Sequence, residues 1–163
     1  MKKTSIFIAC ALSVLMLLQL SGCKMRDKDG EASSNDSGMV GSAKLKDGEY
    51  KASADTYDDS GYKATVKVVV KDGAVYSIDC DAEHKDEGTK KSISESGKYG
   101  MKAGGAQHEW HEEIAYFEKY ATENGVSSIT LNKDGKTDVI TGCTIAVGEY
   151  VDLINEALEK AED

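Results

Sequence analysis

Apolar and polar residues alternate most regularly between positions 64 and 80. Ala64, Val66, Val68 and Val70 stand at every second position, which predicts a strand with one face turned to a core. A second strand, Ala74–Cys80, follows after Lys71-Asp72-Gly73. A two-residue Asp-Gly turn would set Val66, Val68 and Val70 on the face of Ser77 and Asp79. A three-residue loop with Gly73 in the left-handed conformation pairs Val68 with Tyr76, Val66 with Ile78 and Ala64 with Cys80. That register keeps one face apolar and is the one expected. It turns Cys80 inward as a buried, inert thiol. Upstream, Leu45–Ala52 reads as a turn and a first strand, and Asp55–Gly61 as a loop.

Helical periodicity replaces alternation further on. From His108 to Asn124 the residues Trp110, Ile114, Phe117 and Ala121 form one apolar stripe, and Asn124-Gly125 ends it. Trp110 fits this core stripe, with a flavin-stacking platform as the alternative role. A closing helix is expected over Ile145–Ala161, with Val147, Val151, Ile154 and Leu158 as its stripe. Lys160 is its one basic residue, and acidic residues crowd its last turn, which predicts fraying after Glu159. Between the helices lie an expected strand at Val126–Leu131, a turn at Lys133-Asp134-Gly135 and a short strand ending near Ile140. The polar, glycine-rich stretch Asp81–Gly105 reads as one long connection. These elements predict an α+β fold over residues 45–163, a small and mostly antiparallel sheet with two helices packed on one face.

The N-terminus changes the picture of where the domain works. Lys2-Lys3 precede an apolar run from Ile6 to Leu20, too short and wrongly flanked for a permanent span. Leu20-Ser21-Gly22-Cys23 resembles the bacterial lipobox. Residues 1–22 are therefore expected to be a lipoprotein signal peptide and Cys23 the lipidated N-terminus. Residues 23–44 hold almost no bulky apolar side chain and form a flexible tether of about 25 Å root-mean-square span. The expected location is the extracytoplasmic face of the cell membrane, held to the bilayer through Cys23.

Charge excludes one class of partner. The chain carries −9, and −11 without the two leader lysines, so nucleic acid is repelled. Of four cysteines, Cys10 and Cys23 belong to the leader and its end, leaving Cys80 and Cys143. Sequence alone cannot bring these two together. His108, His111 and Glu112 lack the His-Glu-x-x-His order of a zinc protease. No nucleophile elbow supports a hydrolase, and no catalytic residue is expected.

Candidate chemistry gathers at Asp138-Val139-Ile140-Thr141-Gly142-Cys143-Thr144. The order reads as a strand ending in a tight glycine turn at a helix N-terminus, where free N–H groups favour an anion. This stretch resembles the D-x-x-[ST]-G-A-[ST] signature of the FMN-binding domain family of exported electron carriers. Asp138, Thr141, Gly142 and Thr144 match, whereas Cys143 replaces the usual Ala and Val147 stands where many members carry Ser. The Gly97–Gly105 loop is also similar to one that such lipoproteins place before their first helix. The resemblance implies FMN esterified through its phosphate to Thr144, installed by a flavin transferase that recognises Asp138 and Gly142. It further implies an electron carrier, with no substrate of its own, that serves a membrane redox partner. The alternative is a binding lipoprotein of the same fold without covalent flavin, to which Cys143 and Val147 point.

Overall fold

The computed structural model describes residues 44–162; the leader, Cys23 and the tether up to residue 43 lie outside them. Alternation does what it predicts. β1 (Gly48–Ser53), β2 (Tyr62–Lys71), β3 (Ala74–His84) and β4 (Gly88–Thr89) form one antiparallel sheet in the order β1-β2-β3-β4. Ala52, Ala64, Val66, Val68, Val70, Ile78, Cys80 and Ala82 are buried along its inner face. Its outer face carries Lys51, Lys67 and Asp79, with a Lys67–Asp79 ion pair at 3.6 Å. Two long helices cover the inner face: α2 (Trp110–Asn124) lies against β3, and α3 (Gly148–Glu162) against β1 and β2. The fold is a small α+β domain. Among the described residues no helix is long and apolar enough to cross a membrane.

The β2–β3 register follows neither simple hairpin. Asp72 (φ 55°) and Gly73 (φ 77°) form a two-residue turn that pairs Lys71 with Ala74 and Val70 with Val75. Tyr76 then bulges out, so that Val69 meets Ser77, Val68 meets Ile78, Val66 meets Cys80 and Ala64 meets Ala82. The expected three-residue loop is absent. A bulge shifts β3 by one residue and returns Ile78 and Cys80 to the core, which meets the same demand by another route. Tyr76 stays 61% exposed, with the Lys71 ammonium 3.6 Å from its ring centre. Both turn residues need positive φ, and the Gly73 N–H also donates to Asp47 Oδ1 at 2.8 Å. Gly73→Val is therefore expected to lower stability by about 1 kcal/mol or more. An unchanged urea midpoint would contradict this.

The polar stretch 81–105 holds more structure than expected. β3 continues to His84, turns into β4, and leads to α1 (Lys90–Glu95), which Thr89 caps through its hydroxyl to Ser92 N. α1 and α2 cover the open edge of β3. Cys80 N donates to Glu118 Oε1 at 2.6 Å, and Lys91 Nζ bridges that oxygen (2.7 Å) to Asp79 Oδ1 (2.5 Å). A sheet edge so covered cannot pair with another chain there.

Four expectations are corrected in the C-terminal half. Val126–Leu131 is no strand: Val126–Ser128 is a single 3-10 turn after Gly125, with Val126 buried as its anchor. Residues 138–140 are irregular as well, so no second hairpin forms. α3 starts at Gly148 and buries Tyr150, Leu153, Ile154, Ala157 and Ala161, while Val151 and Leu158 are only partly buried. Its end does not fray at Glu159. Lys160 Nζ bonds Glu156 and the Lys51 carbonyl, both at 2.8 Å, and Ala161 O accepts from Lys46 N at 2.8 Å. These contacts offset the unfavourable charge at the helix end.

Candidate functional site

The stretch from Lys136 to Val147 is a loop pinned at intervals by side chains in the core. Thr137, Ile140, Cys143 and Val147 are buried, while Asp138, Thr141 and Thr144 face outward. Ile140 O accepts from Cys143 N at 3.2 Å, closing a turn with Gly142 at φ 86° in its third position. Only glycine suits that φ, and a Cβ at 142 would lie 2.9 Å from the Tyr116 ring of α2. The turn thus rests directly on the helix. Four of the five expected cofactor-binding residues, Asp138, Thr141, Gly142 and Thr144, are brought to the protein surface or just beneath it. Cys143, the fifth, packs in the core.

The motif does not sit at a helix N-terminus. Ile145, Ala146 and Val147 separate Thr144 from α3. Val147 N, just ahead of α3, and Gly148 N, its first amide, both donate to Gly135 O, at 2.7 and 3.1 Å. The glycine loop Asn132–Lys136, closed by Asn132 Oδ1 accepting from Asp134 N and Lys136 N, puts that carbonyl in place. The amides of Thr144 and Ile145 therefore lie outside the first turn of α3.

A buried carboxylate accepts from them. Glu113 of α2 is 1% exposed and points at the end of the motif. Its Oε2 accepts from Thr144 N at 2.5 Å and from Ile145 N at 3.1 Å. Thr144 Oγ1 lies 2.9 Å from Oε2 and 3.1 Å from Oε1 and donates its proton to them. Such bonds are what make a buried carboxylate tolerable, and no Lys, Arg or His among the described residues forms an ion pair with it. Glu113 is not among the expected site residues. Its signal was present: a charged residue three positions after Trp110 and four before Phe117 stands on the apolar stripe.

The neighbouring groups are settled structurally. His111 Nδ1 and Ser94 Oγ are 2.9 Å apart, and the same hydroxyl accepts from His111 N at 3.0 Å. His108 packs edge-on against Tyr116 with ring centres 5.4 Å apart. Glu112 accepts from Glu109 N at 2.7 Å and pairs with Lys102 at 2.6 Å, and these contacts bring its carboxyl down to about 2. Among the described residues no group of three or more His, Cys, Asp or Glu could hold a metal. Trp110 is buried, and its ring also walls a cavity of about 350 Å³ together with Tyr62, Tyr150, Lys90 and Ala146. Lys90 Nζ lies about 5 Å from three ring centres, those of Tyr62 (4.7 Å), Trp110 (5.0 Å) and Tyr99 (5.1 Å).

Cys80 and Cys143 are both free and buried. Burial first, then the Glu113 carboxylate, pushes the Cys143 thiol up to about 11, and burial with Glu118 raises Cys80 well above its ordinary range. The thiolate is the reactive form, so neither thiol should react with iodoacetamide at pH 8 in the native protein, and both should do so in denaturant. Mapping the alkylated peptides checks this; native labelling at Cys143 would contradict it.

No family model matches the chain, and no curated protein matches it. Two solved structures are similar. A protein from Clostridium thermocellum, solved by solution NMR, is 42% identical over 73% of this chain and 94% of its own, with a TM-score of 0.56. A protein from Clostridium perfringens, solved by crystallography, is 27% identical over 72% of this chain and 89% of its own, also with a TM-score of 0.56. The chain belongs to the same family as the Clostridium thermocellum protein.

Proposed function

For this member of that family we propose an extracytoplasmic, lipid-anchored carrier of FMN, with the cofactor esterified to Thr144 and electrons passed to a membrane redox partner. The observation that carries the reading is the Thr144 hydroxyl. It ends an Asp-x-x-Thr-Gly-Cys-Thr stretch, belongs to an exposed residue, and is held in a fixed direction by Glu113. An oriented hydroxyl on an exposed residue of a turn is what a modifying enzyme needs. Gly142 keeps the turn flush against Tyr116, and Cys143, in place of the usual Ala, supplies a small buried anchor. The flavin does the redox chemistry; the protein fixes and tunes it. We assign the isoalloxazine to the cavity that includes Ala146, which is lined by Tyr62, Trp110 and Tyr150 and also by Asp58, Asp134 and Glu149. Lys90, whose own value burial lowers, would there lie beside the ring.

Asp138 is exposed, and we assign it to recognition by the flavin transferase. Asp138→Ala is expected to lower flavin loading several-fold and to leave the thermal midpoint unchanged. Equal loading, or an unfolded variant, would contradict that assignment. Linkage through the phosphate leaves the ring unmodified, so denatured holoprotein should keep ordinary flavin absorbance and yellow fluorescence. Release of all flavin on denaturation would contradict the ester and favour noncovalent binding.

One observation favours the second reading, a binding lipoprotein of this fold without covalent flavin. The Thr144 and Ile145 amides already serve Glu113, so they do not await a phosphate. A charged carboxylate beside a phosphodiester is also repulsive.

A further inference from the structure

We infer that Glu113 is the proton acceptor for Thr144 Oγ1 when the phosphoester forms, an assignment that rests on the covalent reading. Two roles are open to a buried carboxylate here. As a staple it would need only the backbone, and Thr144 N and Ile145 N already provide that at 2.5 and 3.1 Å. The hydroxyl contact goes beyond stapling. Thr144 is an exposed residue, yet its Oγ1 lies within 3.1 Å of both oxygens of the buried carboxylate. A general base must be within hydrogen-bond reach of the proton it removes, and this one is already there. It forms no ion pair with any Lys, Arg or His among the described residues.

The step balances without further groups from this chain. The transferase presents the flavin as a phosphoanhydride. Thr144 Oγ1 attacks its phosphorus, a P–Oγ1 bond forms, the anhydride P–O bond breaks, and the leaving group departs with the electron pair. The hydroxyl proton passes to the Glu113 carboxyl. That transfer also removes the charge conflict, because the new phosphodiester then faces a neutral acid. The two backbone N–H groups stay bonded to the carboxyl oxygens throughout, so the loop keeps its shape. Since those amides are engaged beforehand, Glu113 acts on the chemical step and not on the initial capture of the donor.

Glu113→Gln separates these roles. Its carbonyl still accepts from Thr144 N and Oγ1, but the amide cannot take a proton. With the full chain in detergent as acceptor for a purified flavin transferase, the variant is expected to lower kcat about 100-fold or more, with KM within about threefold of wild type. Asp138→Ala should instead act mainly through KM. Glu113→Asp keeps the charge but draws it back by one methylene, and it should also lower kcat. An unchanged kcat in both Glu113 variants would overturn the inference while leaving the ester intact, since wild type would still load. A rise in KM with kcat preserved would likewise reduce Glu113 to a staple. If Glu113→Gln fails to fold, the Glu113→Asp result decides. Failure of wild type to load, with a transferase that labels another acceptor carrying the motif, would remove the covalent reading itself.

Discussion

Glu113→Ala should lower the stability of the domain by about 3 kcal/mol, read as a fall in the urea midpoint at unchanged slope. The loss has two parts. Thr144 N and Ile145 N lose their acceptor in a partly buried setting, and each unsatisfied donor costs about 1–3 kcal/mol, less where water enters. The side chain also leaves a gap under the 140–145 turn, beside Ile140 and Cys143 in the core. Glu113→Gln should cost about 1 kcal/mol, because one oxygen still accepts. The ordering of the two variants matters more than either value. If Ala and Gln cost the same, the backbone bonds are not what holds the loop, and the account of the site fails at its base.

Thr144→Ala should abolish the flavin adduct entirely, while Thr144→Ser retains it. The alanine variant removes Oγ1 and keeps the Thr144 N–H bond to Glu113, so the loop should keep its place. Thr141 provides the control for site choice. It is exposed, three residues away in the same turn, but only Thr144 Oγ1 has a carboxylate beside it. Thr141→Ala should therefore load. Stability is expected to fall by about 1.5 kcal/mol or more in Thr144→Ala, which takes a hydrogen bond from the buried Glu113 carboxylate, and to change little in Thr144→Ser, which keeps it. Loss of the adduct with loss of the fold would not count as support; the thermal midpoint distinguishes the two. Survival of the adduct in Thr144→Ala would overturn the site assignment.

How far the sequence revealed this arrangement depends on how many residues carried each signal. β2 was legible because four alternate apolar residues left only one face to bury. The bulge at Tyr76 was not, since a longer loop and a bulge both restore the apolar face, and choosing between them needs the turn conformations of Asp72 and Gly73. α2 was legible from its stripe. α1 was not, because six residues are too few to show a helical period and its stability comes from the Thr89 cap and the packing of Ile93. Val126–Leu131 carries three β-formers, Val126, Ile129 and Leu131, without regular alternation, and a 3-10 turn after Gly125 takes the place of the strand. At the site, the glycine turn was readable from Asp138–Thr144. The supposed helix N-terminus was not there, because the competing acceptors, Gly135 O and Glu113, come from segments 9 and 31 residues away from Thr144.

The central claim concerns Thr144, and the mass of the intact protein tests it most directly. The full chain is expressed with an active flavin transferase and its mature form weighed beside Thr144→Ala. The account predicts that wild type gains the mass of one FMN less one water, that peptide mapping puts the gain on Thr144, and that the alanine variant shows none. A wild-type chain found only at its apo mass, with the transferase shown to be active on another acceptor, would contradict it.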